Sequence, residues 1–458
     1  MANNHIHHTP FLLDRENVVL VKSLKPTSSG LFSLSSIDND PHLEIFCQTI
    51  HVYRSKVDSS YYDNHNCTLS FDEQEDIAYV IKEALSKALV FSHPLAGKLE
   101  KHSNGKLHIN CNEDGVPFLV AAANYQLFSL IYLDGVDVEV SKQLVLDLPS
   151  KGDSVYHPLV LQVTKFSCGG CIIGMGLSHS VCEGFGAAQF FQALVELASE
   201  KSELSVKPVW ERERLVATPT KEPFQLMFPD GPSLATSPYM PTIDLLHECF
   251  HVSSESIKRI KMSLTEEFET KKFGAYVWRL RFRALKLNSD GRTNFWLVMG
   301  IRKLLNPPLP DGYYENAFVS QVLELMGGEL NELPLSKVAK LIKESKKGAS
   351  TADYIMTSLR MLERFRQLDI KFKDDVAVMV LIDWRQLGFL ENVDFGRMEL
   401  VNMISLPWNM IGYVDMCVLL PPTSKVDASM KGGVRLFLSL PSAAMAKFKE
   451  EMGALKLL

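Results

Sequence analysis

The sequence has no apolar run long enough to cross a membrane. Its longest aliphatic runs, such as VAVMVLI at 376–382, are far shorter than the roughly 20 residues that a transmembrane helix needs. The first residues, MANNHIHHTPFLLDRENVV, also lack the basic region, apolar core and cleavage site of a secretory signal. We therefore expect a cytoplasmic protein with no membrane partner.

An excess of positive charge is missing as well. The 458 residues carry 48 Lys and Arg against 54 Asp and Glu, which gives a net charge of −6. A chain with this balance lacks the basic field that attracts a polyanion, so nucleic acid is not an expected partner.

Cysteines are too scattered to form a disulfide framework or a structural zinc site. The chain has 8 Cys, and only Cys168 and Cys171 form a C-x-x-C pair. Such zinc sites need a second pair at matching spacing. We expect reduced thiols, as in the cytosol, and no bound metal.

What the sequence does contain is an alternation of helical and strand patterns, which indicates a mixed α/β fold. A chain of this length exceeds a single core, so we expect two domains. Residues 201–243 are rich in proline and charge, as in a surface linker. We expect an N-terminal domain over 1–200 and a C-terminal domain over 244–458.

Local patterns predict several elements near the centre of the first half. Residues 75–90 have helical spacing, and 105–121 contain two alternating stretches around Asp-Gly, which predict a hairpin. Residues 159–179 predict two strands joined at Gly169 and Gly170. A helical pattern follows Gly184, so the segment GLSHSVCEGFG lies on a strand-to-helix connection.

His179 stands in that connection and is the first candidate catalytic residue. A histidine is mostly a free base at neutral pH and can take a proton from a substrate. The alternative is a core histidine that only bonds to backbone. Glu183, four residues on, orients His179 as in a triad or binds a cation elsewhere in the fold, and spacing leaves both open.

Other local motifs favour structural roles. Cys182 is better explained as a small buried side chain than as a nucleophile. The DFG at 394–396 lacks the glycine-rich loop and catalytic loop of a kinase. Dinucleotide and Walker fingerprints are missing too.

Taken in order, a set of motifs resembles the plant BAHD family of acyl-CoA-dependent acyltransferases over essentially the whole chain. The finer resemblance is to its alcohol-acylating branch, which includes taxane and benzyl alcohol acyltransferases. The motifs are LSSIDN (34–39), HPLAGKL (93–99), NEDGVPF (112–118), QVTKFSCGG (162–170), SHSVCEGFGAAQF (178–190), NPPLPDGYYENA (306–317), DWRQLGF (383–389), VDFGRM (393–398) and GGV (432–434).

The resemblance implies two chloramphenicol-acetyltransferase-like domains joined by a crossover loop, with an active-site channel between them. It makes His179 the general base. The motif acid, Glu183, then points away from the channel and pairs with Arg302 of the second domain. Trp384 matches a tryptophan proposed to stabilise the oxyanion. Acyl-CoA is the implied co-substrate, with no covalent intermediate and no tightly bound cofactor.

Four departures separate this sequence from the family pattern. Glu183 replaces the usual Asp, and Glu315 replaces the usual Gly. Ile382 stands where the family often has Thr or Ser. The family's DFGWG is DFGRM here: Asp394 and Gly396 keep its structural part, and Arg397 becomes a candidate for a CoA phosphate or an acidic acyl group.

The resemblance implies transfer of an acyl group to a hydroxyl of a plant specialised metabolite, such as an alkaloid, a terpenoid or an aromatic alcohol. An amine acceptor is the close variant, because the same base serves both. A divergent relative with other chemistry and a peptide-synthetase condensation domain are the remaining alternatives. The latter has two adjacent histidines, whereas Ser178 precedes His179 here. We expect a monomer.

Overall fold

The fold was analysed in a computed structural model, which describes most of the chain. The described residues are 11–56, 76–135, 138–147, 155–199, 201, 203–218, 232–262, 270–368, 375–391, 393–406 and 414–457. Part of the predicted linker, 219–231, lies outside them. Within the described residues, no helix is long and apolar enough to span a bilayer.

The first sheet has the strand order β1-β7-β9-β10-β4-β15, and β2 also pairs with β7. The central pairs β9–β10, β10–β4 and β4–β15 are antiparallel. Its strands are β1 (Leu13–Arg15), β2 (Val19–Val21), β4 (Phe46–Ser55), β7 (Val116–Ala123), β9 (Leu159–Phe166), β10 (Cys171–Ser178) and β15 (Met398–Ser405).

The second sheet has the order β11-β17-β16-β14-β12-β13 and lies entirely in the second half. Its strands are β11 (Leu245–Val252), β12 (Arg292–Gly300), β13 (Phe318–Met326), β14 (Val378–Asp383), β16 (Met416–Leu420) and β17 (Val434–Pro441). A small third sheet has the order β3-β6-β5-β8. Its strands are β3 (Gly30–Ser33), β5 (Lys98–Lys101), β6 (Leu107–Cys111) and β8 (Val155–Tyr156).

Helices cover the two large sheets. Those of the described residues are α1 (Ile77–Phe91), α2 (Val138–Ser141), α3 (Gly184–Ala198), α4 (Ser254–Met262), α5 (Thr270–Ala284), α6 (Gly327–Glu332), α7 (Leu335–Ala349), α8 (Ala352–Gln367) and α9 (Ser442–Leu457). The mixed α/β class expected from the sequence is confirmed.

Local sequence explains why α1 and α3 form where they do. Asp76 caps α1, because its side chain accepts a hydrogen bond from the Ala78 N–H. Ile81, Leu85 and Leu89 then recur at helical spacing and are fully buried. α1 packs against α3, and Phe191 of α3 stacks on His51 of β4, so the helix that follows His179 is held by both α1 and the first sheet.

The predicted β9–β10 pair is confirmed, with its turn at Gly169 and Gly170. The predicted hairpin over 105–121 is wrong. β6 pairs with β3 and β5 of the third sheet, whereas β7 belongs to the first sheet. The turn between them contains two residues with positive φ, Glu113 and Gly115, and it carries the chain from one sheet to the other.

Strand β15 joins the two halves of the molecule. It comes from the predicted C-terminal domain, yet it pairs with β4 from Ser55 to Thr49. The first sheet therefore takes strands from both sides of 201–243. The domain bounds themselves stay a prediction.

Gly186 allows α3 to approach the second half closely. A Cβ at this position would overlap the carbonyl oxygen of Tyr314, and backbone cannot yield as a flexible side chain can. We expect Gly186→Ala to lower the free energy of unfolding by about 2–3 kcal/mol, as overpacking does. Urea denaturation measures this change in the free energy of unfolding.

The matched control is Gly348→Ala in α7, where a new Cβ meets nothing within 4 Å. Alanine favours a helix over glycine by up to about 1 kcal/mol, so this variant should be as stable as the parent or more so. Equal stability of the two variants would contradict the close approach at Gly186.

Candidate active site

The backbone of His179 is held from both sides. His179 directly follows β10, and its N–H donates to the carbonyl of Ile45 at 2.9 Å. Its own carbonyl accepts a 2.7 Å hydrogen bond from the side-chain amide of Asn316. The first contact comes from the N-terminal half and the second from the C-terminal half, so the position of His179 depends on both.

The side chain of His179 lines a cavity of about 1910 Å³ between the two large sheets. Its Nδ1 is buried without a regular hydrogen bond among the described residues, and its ring meets Phe318 edge-on at 6.1 Å. Burial lowers the pKa of His179, although its own carbonyl and the charges of Glu183 and Asp38 oppose this. The imidazole is therefore neutral at neutral pH and able to accept a proton.

Glu183 does not act on His179 as a triad acid in this geometry. Its carboxylate forms an ion pair with Arg302, which follows β12 in the second half. The Arg302 guanidinium also donates to the carbonyl of Glu315 at 2.8 Å and lies 4.3 Å from the ring centre of Phe185. Both charged side chains are mostly buried, at 14% and 17% exposure. The pair thus links the turn after His179 to the other half.

Trp384 approaches the same turn from the end of β14. Its backbone N–H donates to Leu419, and its side chain is buried at the cavity wall. The indole Nε1 lies 3.7 Å from the place where a Cβ on Gly184 would sit. An N–H donor is thereby held near the start of α3, at the cavity that His179 lines. Ile382 also lines this cavity, without a hydroxyl.

The DFGRM segment lies away from the cavity. Asp394 contacts Lys56 at 3.0 Å and accepts a hydrogen bond from the Leu400 N–H. Partial burial opposes its ionisation, but these bonds and Lys425 outweigh it and lower its pKa. Gly396 has a φ of +46° in the turn before β15. Arg397 is exposed and is not among the described residues that line the cavity, so its CoA contact stays a prediction.

A buried polar cluster stands behind His179, and sequence reasoning missed most of it. Asp38 accepts a 2.8 Å hydrogen bond from Asn316, the residue that also holds the His179 carbonyl. Arg212 lies 3.4 Å from Asp38 and 2.9 Å from Glu315. All four side chains are buried. Their partners lie more than a hundred residues apart, so no local pattern could reveal the cluster.

One face of the second sheet forms the long wall of the cavity. Alternate residues of β12, from Arg292 to Gly300, line it, as do alternate residues of β13 and β14. The nine residues of β12 span eight steps of about 3.3 Å, which makes this wall roughly 26 Å long. It suits an extended ligand that passes His179 at one end.

Neither the thiol of Cys182 nor a cluster of metal-binding side chains offers a second chemistry at this site among the described residues. Burial raises the pKa of Cys182 strongly, so its thiol is neutral and not a nucleophile. No group of three or more His, Cys, Asp or Glu in the described ranges is arranged to hold a metal ion.

Comparison with known proteins agrees with this architecture. A family described as the Transferase family matches residues 14–455. The protein is a BAHD acyltransferase. In fold it is similar to vinorine synthase, with a TM-score of 0.74 and 20% identity over 97% of this chain and 98% of that one. The expected fold and family are confirmed.

Two similar BAHD enzymes come from Arabidopsis thaliana. The spermidine coumaroyl-CoA acyltransferase is 40% identical over 100% of this chain and 98% of that protein. The spermidine sinapoyl-CoA acyltransferase is 37% identical over 98% of each. The taxadien-5-alpha-ol O-acetyltransferase of Taxus chinensis is 32% identical over 83% of this chain and 84% of its own length.

We expect Glu183→Gln to destabilise this BAHD acyltransferase and to displace the titration of His179 only modestly. The substitution removes the charge that Arg302 pairs with, which costs about 1.5–3 kcal/mol for a charge-assisted bond. The charge of Glu183 also opposes the burial that lowers the pKa of His179, so its loss should move the acid limb of kcat against pH to lower pH, by less than the loss of a triad acid would. Thermal unfolding and a pH–rate profile measure the two effects.

Glu183→Asp is the control, because it keeps the charge and shortens the side chain by one methylene. It should retain most of the stability. A large displacement of the acid limb in Glu183→Gln at unchanged melting temperature would contradict the assignment of Glu183 as a structural partner of Arg302.

Glu315 predicts a pH dependence of stability. Burial raises its pKa to about 7 from 4.5, with Arg212 opposing and Asp38 adding to the rise. Between these values the folded protein binds more protons than the unfolded chain, so stability falls as pH rises. Glu315→Gln removes this loss. Measured by urea denaturation, the free energy of unfolding of the variant relative to wild type should be about 1–3 kcal/mol higher at pH 8 than at pH 5.

The exposed carboxylate of Glu332 offers the control. Glu332→Gln makes the same chemical change at the surface and should show no such difference between the two pH values. If Glu315→Gln behaved like this control, Glu315 would not hold its proton in the folded protein.

Proposed function

We propose that this BAHD acyltransferase moves a hydroxycinnamoyl group from CoA to a primary amine of an aliphatic polyamine such as spermidine. The observation that carries the proposal is similarity over the full length: two spermidine acyltransferases are 40% and 37% identical across at least 98% of each chain. The Taxus O-acetyltransferase of lower identity matches a smaller share of the chain.

The charges of the cavity support a cationic acceptor. Among the described lining residues, carboxylates outnumber lysine and arginine side chains by seven to five. An acceptor that carries ammonium groups is attracted by such a surplus, and a neutral alcohol is not. The acids are Asp40, Glu44, Glu183, Glu324, Asp375, Asp383 and Asp415, and the bases are Lys101, Arg292, Arg302, Lys303 and Arg366.

The proposed reaction needs one base and one hydrogen-bond donor to the oxyanion. The neutral amine nitrogen attacks the thioester carbonyl carbon, and the carbonyl electron pair moves onto oxygen. His179 takes the proton from the attacking nitrogen, which a lowered pKa allows at neutral pH. The oxyanion then collapses and expels CoA thiolate, which the protonated His179 neutralises. The products are the amide and free CoA, and the base is restored.

The oxyanion is the charge that the protein must stabilise in between. We assign the indole N–H of Trp384 to it, because this donor lies at the cavity wall near the start of α3. Ile382 supplies no second donor.

An alcohol acceptor is the second candidate. It rests on the same base and on relatives such as the omega-hydroxypalmitate O-feruloyl transferase of Arabidopsis thaliana, which is 29% identical over 98% of this chain. A competition assay separates the two. Purified protein receives 4-coumaroyl-CoA with an equimolar mixture of spermidine and plant alcohols, and mass spectrometry reads the products. Amides alone support the amine proposal, and esters alone overturn it.

We also propose that acyl-CoA is a co-substrate with no tightly bound cofactor, and that the protein is a cytoplasmic monomer.

His179→Ala tests the base directly. Without a proton acceptor beside the attacking nitrogen, we expect kcat to fall by about 10² to 10⁴-fold. Steady-state release of free CoA measures the rate, and circular dichroism checks the fold. His157→Ala is the matched control, since His157 pairs with Asp114 and is not among the lining residues. Turnover in His179→Ala equal to that in this control would end the assignment.

A further inference from the structure

Two buried carboxyl groups share a single arginine behind the turn that carries His179. Arg212 lies 3.4 Å from Asp38 through Nη1 and 2.9 Å from Glu315 through Nε. Its guanidinium carbon lies 4.6 Å from the ring centre of Phe32 and 5.4 Å from that of Trp210. Because these rings hold the arginine in place, its one positive charge has to be divided between the two acids.

The two contacts of Arg212 differ in quality. Its Nη1 makes an aligned hydrogen bond to Asp38. The contact of Nε with Glu315 is close but not aligned, and both carboxyl oxygens of Glu315 are buried without a regular hydrogen bond to any described residue. A buried carboxylate without aligned donors costs much more free energy than a neutral carboxyl group does. This arrangement therefore fits a protonated Glu315, and an ionised Glu315 needs Arg212 to turn toward it.

Asp38 connects the shared arginine to His179 by way of Asn316. The side-chain amide of Asn316 donates to Asp38 at 2.8 Å and to the His179 carbonyl at 2.7 Å. A carboxylate only accepts hydrogen bonds, so Asp38 fixes which way this amide points. Burial lowers the pKa of His179, and the Asn316 side chain is among the groups that oppose this. Asn316 therefore places the backbone of His179 and also favours its protonated ring.

We propose that Glu315 is a pH-sensitive positioning residue for His179. It acts through the chain of contacts from Arg212 to Asp38 and Asn316. While Glu315 is protonated, Arg212 stays with Asp38 and the chain is complete. When Glu315 ionises, Arg212 turns to it, Asp38 loses its cation and shifts, and the hold on His179 weakens. The inference rests on the proposed function in one respect, which is that His179 is the base.

The groups around Glu315 place its titration near neutral pH. Burial raises the pKa of Glu315 to about 7, while Arg212 opposes the rise and Asp38 adds to it. In the described part of the chain, Tyr313 also faces this carboxyl group, and burial raises the pKa of Tyr313 well above its usual range, so the phenol stays neutral. Arg302 faces only the backbone carbonyl of Glu315. Glycine, which the family usually has at 315, could not act in this way.

Glu315→Gln tests the proposal, because glutamine keeps the shape of the side chain and cannot ionise. The readout is the ratio of wild-type kcat to variant kcat at saturating substrate, from about pH 6 to about pH 9 and well below the melting temperature. Titrations that both proteins share cancel in this ratio. We expect the ratio to fall about three- to tenfold as the pH rises through about 7, because a slightly misplaced base loses part of its rate.

Glu196→Gln is the matched control. Glu196 is a buried acid of α3 outside the cluster. Burial opposes its ionisation, but hydrogen bonds from Ser205 and the charge of Lys201 outweigh this and lower its pKa. Glu196 is therefore ionised over the whole pH range, and the ratio of wild type to this variant should stay constant. A ratio just as constant for Glu315→Gln would overturn the proposal.

A measurement without turnover separates this inference from the proposed function. The Cε1 resonance of His179 in protein with isotope-labelled histidine, assigned with His179→Ala, reports the surroundings of the ring at each pH. We expect an inflection near pH 7 in wild type that Glu315→Gln lacks. The same inflection in both proteins, or in neither, overturns the proposal. If the resonance behaves as expected but no acceptor is acylated, the coupling of Glu315 to His179 stands and the proposed function fails.

Discussion

The ion pair between Glu183 and Arg302 is the interaction on which the active site depends. It ties the turn after β10 to the end of β12, so His179, the proposed base, is fixed by contacts from both halves. Without it, Arg302 would keep its bond to the Glu315 carbonyl while its charge lost its partner in a mostly enclosed place. Such a loss costs more than the net worth of the pair, because the remaining charge is already desolvated. The longer side chain of Glu183, where the family has Asp, still reaches the arginine.

The buried polar cluster behind His179 also links residues of the two halves. Asp38 and Glu315 are fully buried carboxylates that share Arg212, so one of them has too little positive charge nearby. The raised pKa of Glu315 compensates for this shortage of positive charge, because a protonated carboxyl group needs no counter-charge. Asp38 stays bonded to Asn316, which in turn holds the carbonyl of His179. A glycine at 315, which the family usually has, would place no second carboxylate beside Arg212. The shared arginine is therefore particular to this sequence.

The sequence predicted those parts of the structure whose signals are local. The β9–β10 pair followed from Gly169 and Gly170 between two apolar stretches, and α1 from the helical spacing over 75–90. The 105–121 hairpin failed because alternation and a turn signal say that strands exist, not which sheet each one joins. The pairing of β15 with β4 had no local signal either. The ordered motifs named the residues Glu183 and Arg302, but Asp38, Arg212 and Asn316 meet only through the fold.

The two walls of the cavity come from different sheets, and this affects how the substrate specificity of such an enzyme can change. The long wall belongs to the second sheet, whose strands contribute Arg292, Glu324 and Asp383 as charged lining residues. The opposite wall belongs to the first sheet and to α3, and it is mostly apolar, with Thr49 of β4 as one hydroxyl. Because His179 stands where the walls meet, a change on one wall leaves the base and the other wall in place. Substitutions on the two walls can therefore accumulate independently, and the proposed base, which can take a proton from an amine or an alcohol, puts no limit on either.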